Sequence, residues 1–180
     1  FKTAEMELGE RAFFVGPNAS GKSNLLDALR FVRDIASVGG GFQDAVKRRG
    51  GVREIRNFAA TANPTIGLDI DLGDNDRPKQ CTYSIEFTAK PTGDRGPVLV
   101  REVVRQDGAV LLDRPDADDK KDGMRLSQTA LEQVNVNKSF RAVAEFFSSV
   151  RYLHVVPQIV RDPGRSGRSP PKSLRAIETQ

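Results

Sequence analysis

The chain has 180 residues, enough to bury a core without disulfides or metals. Hydrophobic residues at 38% against charged residues at 29% exclude a disordered chain. No apolar run approaches the roughly 18 residues of a membrane span. The longest cover 12–15 and 109–112. A single cysteine, Cys81, excludes an internal disulfide, and no secretory signal opens the sequence, so a cytoplasmic location with no membrane contact is the expectation.

The formal net charge is +4. Much of it sits in 161–180, where Arg161, Arg165, Arg168, Lys172 and Arg175 face only Asp162 and Glu178. This Pro-, Ser- and Gly-rich tail reads as a solvated segment of poor order, with phosphate-backbone contact as the alternative. At the other end, Phe1 stands where a methionine would begin a chain, and a trimmed N-terminus is expected.

In chain order, Arg-Ala-Phe-Phe-Val at 11–15 predicts a short buried strand running into a glycine turn. Leu25, Ala28, Leu29, Val32, Ile35 and Ala36 then recur at three- and four-residue spacing, with Asp27, Arg30, Arg33 and Asp34 on the other side, which predicts an amphipathic helix. Gly39, Gly40 and Gly41 end it, since consecutive glycines lose too much backbone entropy in a helix. Residues 42–64 lack a clean period and carry Lys47, Arg48, Arg49 and Arg53, so a loop or short helix is expected.

Alternation then predicts strands: Ile66, Leu68, Ile70 and Leu72 in one, Tyr83, Ile85 and Phe87 in the next, with turn residues 73–76 between them. A further pair, 98–106 and 109–114, is joined by Asp107-Gly108, a dipeptide suited to a tight antiparallel hairpin. The acidic stretch 115–123 reads as an exposed loop. Phe140, Val143, Ala144, Phe147 and Val150 predict a second amphipathic helix, and 152–156 a strand halted by Pro157.

The motif that carries chemistry is Gly16-Pro17-Asn18-Ala19-Ser20-Gly21-Lys22-Ser23, a G-x-x-x-x-G-K-[ST] loop between an apolar run and an amphipathic helix. Glycines at both ends let the chain curl so that successive N–H groups face phosphate oxygens, and the helix N-terminus adds partial positive charge. Lys22 reaches for the β- and γ-phosphates of ATP, and the Ser23 hydroxyl for Mg²⁺. The bland alternative is a strand-to-helix turn that binds nothing.

The stretch Gly16 to Leu29, with Asn18 third in the loop and Asn24 after Lys-Ser, resembles the loop and helix of RecF, SMC and OLD-type ATPases. Residues 41–58 and the strands after them resemble bacterial ATPases related to OLD, many of them in DNA repair or anti-phage defence. The resemblance implies an α/β fold of ABC-ATPase type, with the P-loop strand and helix plus an antiparallel β lobe. Residues 1–160 would form the N-terminal part of an ATPase head and 161–180 a basic loop or linker. It further implies ATP and Mg²⁺ as cofactors and a homodimer of heads, or a larger oligomer, closing on ATP. DNA and an effector nuclease or other protein are the implied partners. Gln43 is the implied glutamine ligand of Mg²⁺. Phe1 and Lys2 fall where the family contacts adenine. Lys47, Arg48, Arg49 and Arg53 are the candidate nucleic-acid contacts, against a solvated loop as the plainer reading.

Two segments imitate the family's other motifs. Ala109-Val110-Leu111-Leu112-Asp113-Arg114-Pro115-Asp116 looks like a Walker B strand, but Arg114 stands where a glutamate must align water, and the segment reads instead as the second arm of the Asp107-Gly108 hairpin. Leu126-Ser127-Gln128 resembles the start of a signature segment without its glycines. His154 reads as a packed strand residue. The expectation is an incomplete ATPase domain, inactive alone, whose Walker B and signature lie beyond Gln180. Two other classes stay open: a nucleotide kinase or GTPase, and a scaffold that binds ATP without hydrolysing it.

Overall fold

The computed structural model describes residues 3–56, 65–91 and 96–153. The chain divides into two compact units, Phe1–Val150 and Arg151–Gln180. All described helices and strands lie in the first. Phe1, Lys2, His154 and the basic tail lie outside the described residues, and with them the readings made there.

A four-stranded antiparallel sheet in the order β1–β2–β3–β4 forms one layer: β1 Ile66–Leu72, β2 Cys81–Ala89, β3 Pro97–Gln106 and β4 Ala109–Arg114. The register Ile66↔Phe87 through Leu72↔Cys81 carries the predicted alternation across the first pair. Asp107 and Gly108 make the predicted two-residue turn with φ of 48° and 81°, left-handed values that glycine adopts without strain and aspartate tolerates.

Two bulges break the simple period of β3 and β4. Glu86 pairs with Arg101 while Phe87 pairs with Leu99, leaving Val100 without an opposite number, and Leu111 is left out in the same way between Val110 and Leu112. Each extra residue inverts which side chains face inward. Leu99, Glu102 and Val104 of β3 are accordingly all buried, which strict alternation forbids.

The helical layer comprises α1 Lys22–Ala36, α2 Phe42–Lys47, α3 Val52–Ile55 and α5 Arg141–Ser149. Its apolar face meets the sheet in one core: Phe31, Val32 and Ile35 of α1, Phe42 and Val46 of α2, and Val143 and Phe147 of α5 pack with Tyr83, Ile85 and Phe87. Phe87 is the centre of this contact, stacked on Phe31 at 5.4 Å between ring centroids and edge-on to Phe42 at 5.3 Å.

Three expectations change. Residues 11–15 are not a strand, and Phe13 and Val15 are 88% and 96% exposed. An apolar run becomes a buried strand only where a sheet accepts its hydrogen bonds, and the described sheet has the four members named above. The acidic stretch is not an open loop. Asp116 caps α4 (Ala117–Lys121), its side chain accepting from Asp118 N and Asp119 N while the Asp119 carboxylate accepts from Asp116 N. Asp34 belongs to the buried side of α1 rather than its polar side.

Candidate functional site: the phosphate-binding loop

The loop turns through left-handed backbone at Ala19, φ 63°, and Gly21, φ 91°, before α1 begins at Lys22. At Gly21 any side chain would be strained, whereas glycine pays nothing sterically, and the turn it makes sets the helix N-terminus against the loop. Ser20 N donates to Pro17 O at 3.4 Å, closing the turn, and Asn24 N and Leu25 N donate to Gly21 O at 3.0 and 3.2 Å, starting the helix. The N–H groups of Asn18, Ala19, Gly21, Lys22 and Ser23 make no hydrogen bond to another described residue. That is the donor set a phosphate tail requires.

Lys22 folds back over this nest. Its Nζ donates to Gly16 O and Pro17 O, both at 2.7 Å, and to Ser20 Oγ at 3.1 Å. The ammonium thereby ties the Gly16 end of the loop to the start of α1. Ser23 and Asn24 are exposed at the first turn of α1. Among the described residues no three His, Cys, Asp or Glu side chains gather as a metal site. Of the loop's side chains, Ser23 offers a hydroxyl, the kind of hard oxygen ligand that Mg²⁺ takes.

The other sequence candidates are scattered. Gln43 is half-buried, and its Nε2 donates to Pro97 O at 3.0 Å and Ser127 O at 2.8 Å, tying α2 to β3 and to the 3-10 turn Gly123–Ser127. Its two amide hydrogens are thus committed to structure, and only its carbonyl oxygen is left to offer a cation. Within the basic cluster Lys47, Arg48 and Arg53 are exposed, but Arg49 is not. Its side chain is 11% exposed. It makes a two-pronged contact with Asp27, Nε to Oδ2 at 2.8 Å and Nη2 to Oδ1 at 3.1 Å, and Nη1 donates to Asp34 Oδ2 at 3.0 Å. The guanidinium also lies over the Phe31 ring, 5.3 Å from its centroid. This corrects the reading of Arg49 as a nucleic-acid contact: burial and partnership leave it no face for a phosphate backbone. Burial pushes the Asp34 carboxyl pKa up, but hydrogen bonds from Arg33 and Arg49 more than offset this and hold it below its ordinary value.

The Walker B imitation is the hairpin arm β4, as expected. Arg114 closes that strand with its side chain 4% exposed. It forks onto Asp119, Nε and Nη2 each at 2.8 Å, and donates through Nη1 to Glu102 Oε2 at 3.2 Å and to Gln128 O at 3.0 Å. Glu102 is fully buried and also accepts from Tyr83 Oη, Ala130 N and Leu131 N. Its desolvation raises the carboxyl pKa, while the Arg114 hydrogen bonds hold Asp119 well below the usual carboxylate range. The Leu126-Ser127-Gln128 segment belongs to this scaffold: Ser127 O takes the Gln43 bond and Gln128 O the Arg114 bond.

The sequence reading missed Asp27 and Asp34 as partners of Arg49, and Glu132, whose carboxylate accepts from Phe42 N at 2.7 Å and Thr129 N at 2.8 Å. One signal was available: Asp27 and Asp34 are two helical turns apart and share a face of α1. Which basic residue answers them is settled only by tertiary packing.

Among the described residues no helix is long and apolar enough to cross a membrane. No solved structure matches the chain. The chromosome partition protein Smc of Cereibacter sphaeroides is 48% identical over 88 residues, which is 46% of this chain but 7% of that protein. The chain thus spans a small fraction of the curated relative it matches. The family model described as "AAA domain, putative AbiEii toxin, Type IV TA system" matches residues 11–171, from before the loop to beyond α5. With a G-x-x-x-x-G-K-S loop at Gly16 to Ser23 inside the matched stretch, the chain belongs to that family of P-loop AAA ATPases.

Proposed function

We propose that the chain binds Mg·ATP through Gly16–Ser23 and is the nucleotide-binding part of an ATP-driven switch, in which two heads close on ATP and act on DNA or with an effector nuclease. The observation that carries the reading is the set of N–H groups at Asn18, Ala19, Gly21, Lys22 and Ser23 that bond no other described residue, with the Lys22 ammonium held beside them by Gly16 O and Pro17 O. Bound Mg²⁺ would neutralise phosphate charge during transfer. For their part, the loop amides orient the phosphate tail, Lys22 exchanges its carbonyl partners for phosphate oxygens, and the Ser23 hydroxyl offers one ligand. Gln43 as a second Mg²⁺ ligand, through its carbonyl oxygen, is part of the proposal.

Action in DNA repair or anti-phage defence is the finer reading. The Smc likeness belongs to a chromosome partition protein and the family description names a toxin of a toxin–antitoxin system. An ATP-dependent dimer accommodates both roles, because the same closure can trap DNA or activate an effector. The scaffold alternative draws no support from Arg114, whose charge is taken up by Glu102 and Asp119.

Lys22→Ala is the test. ATP binding measured by calorimetry should be abolished, and sedimentation should show an ATP-dependent dimer in the wild type that the variant cannot form. Sedimentation that ignores both ATP and the substitution would remove the switch, and unchanged ATP affinity would remove the loop itself.

A further inference from the structure

The two halves of α1 are held by different means. Its buried residues, Phe31, Val32, Asp34 and Ile35, all lie in the second half. In the first half, which carries Lys22 and Ser23, Leu25, Leu26, Ala28 and Leu29 are only half-buried. Residues 11–15, which enter the loop from the other side, belong to no strand. Hydrophobic burial therefore anchors the far end of the helix and grips the nucleotide end less firmly.

Among the described residues, Asp27 is the one member of that first half with a charge-assisted tether to another element. It lies one helical turn beyond Ser23 on the same face. Its carboxylate is gripped at both oxygens by the Arg49 guanidinium, with Arg30 Nη1 3.8 Å away on its own helix. Arg49 is itself fixed at the end of α2, by Asp34, by Ala45 O at 2.8 Å and by the Phe31 ring. α2 is pinned in turn by Glu132 at Phe42 N and by the Gln43 amide. A chain of directional contacts thus runs from the sheet scaffold through α2 to the first turns of α1.

Resting on the ATP reading above, we propose that Arg49 is a positioning residue: acting through Asp27, it holds the loop-bearing end of α1 in the orientation the nucleotide needs, without touching the nucleotide. A planar fork gripping both carboxylate oxygens fixes orientation as well as distance, which a lysine at this place would not. Asp27 is 41% exposed, so its replacement perturbs no core.

The test compares Asp27→Asn, Arg49→Gln, the double variant and Lys22→Ala in the same chain. Affinity for Mg·ATP is read by calorimetry and backbone order by hydrogen exchange without nucleotide. Asp27→Asn and Arg49→Gln should each weaken ATP about tenfold, the scale of losing an outer partner of a ligand-binding group, and the double variant should be no worse than either. Exchange should quicken at 22–28 and stay unchanged in β2 and β3. Arg49→Lys should fall between wild type and Arg49→Gln. Should Arg49→Gln fail to fold, Asp27→Asn alone decides, because it leaves the core intact. An Asp27→Asn protein that binds ATP like the wild type overturns the proposal. If Arg49→Gln then still loses affinity, the arginine acts on the nucleotide directly. Lys22→Ala keeps the two ideas apart: if it too leaves binding unchanged, the ATP reading fails, whereas if it alone abolishes binding, only the role of Arg49 fails.

Discussion

The phosphate loop and the ion cluster beneath the sheet are both polar, but one faces water and the other is sealed from it. Gly16 to Ser20 are exposed, and the loop is shaped by backbone dihedrals and one lysine. Glu102, Arg114 and Asp119 are buried, and each has several partners. In water a polar group left unpaired costs little, so the loop can keep donors in reserve for a ligand. In the interior the same omission costs several kcal/mol, so every charge there must be answered by protein. Reactive capacity and structural polarity are separated by solvent access rather than by residue type, since each region uses one basic side chain as its hub.

The largest effect that would sharpen this contrast comes from Arg114→Met. Two buried carboxylates would lose their partner, and unfolding in urea should show a loss of about 3–5 kcal/mol. The ATP affinity of the protein that remains folded should not change. An Arg114→Met protein as stable as the wild type would mean that the cluster is not what holds the sheet to 123–131.

Acidification separates the carboxylates of the interior into two kinds, inside that cluster and outside it. Asp34 and Asp119 have folded pKa values below the ordinary 3.8, so the stability they contribute is complete above that pH and is lost as pH falls below it through the folded values. Glu102 and Glu132 are raised above the ordinary 4.5 by burial, so their contribution is present at low pH and is lost as pH rises through their folded values. Urea midpoints followed from about pH 3 to pH 7 should therefore show Asp119→Asn flattening the acid limb, and Glu102→Gln flattening the decline above it. A wild-type acid limb that persists in Asp119→Asn would assign it elsewhere.

The smallest effect on stability belongs to the exposed basic residues. Replacing Lys47, Arg48 and Arg53 together with glutamine should leave the urea midpoint unchanged, since none is buried. If this face meets DNA, binding should weaken steeply with salt in the wild type, and the slope should shrink in the triple variant because fewer counterions are released. Binding that is absent, or indifferent to both, would remove nucleic acid from this face.

The loop could be found from sequence because its chemistry is local: the backbone of eight consecutive residues makes the site, and glycine and lysine at fixed offsets announce it. Asp107-Gly108 was legible for the same reason. Arg49 and Arg114 were not. Their partners lie at separations of 15 and 22, or 5 and 12, residues, and composition does not say which of three adjacent basic residues turns inward. The strands were found through alternation, but the bulges at Val100 and Leu111 escaped, because an inserted residue looks like noise in a period of two. Residues 11–15 failed for a complementary reason: an apolar run states a preference for burial, and a neighbour must exist to satisfy it.

The Glu132 cap on α2 also bears on how the protein is made. Its carboxylate meets Phe42 N across 90 residues of chain. A ribosome therefore completes the whole nucleotide loop long before the group that steadies α2 has been synthesised, and α2 is the element on which Arg49 stands. Contacts of such long sequence range form late in folding. On the role proposed for Arg49, the loop would reach its full affinity near the end of the process rather than at the start, so a nascent chain carrying every residue of the motif would hold nucleotide more weakly than the finished one.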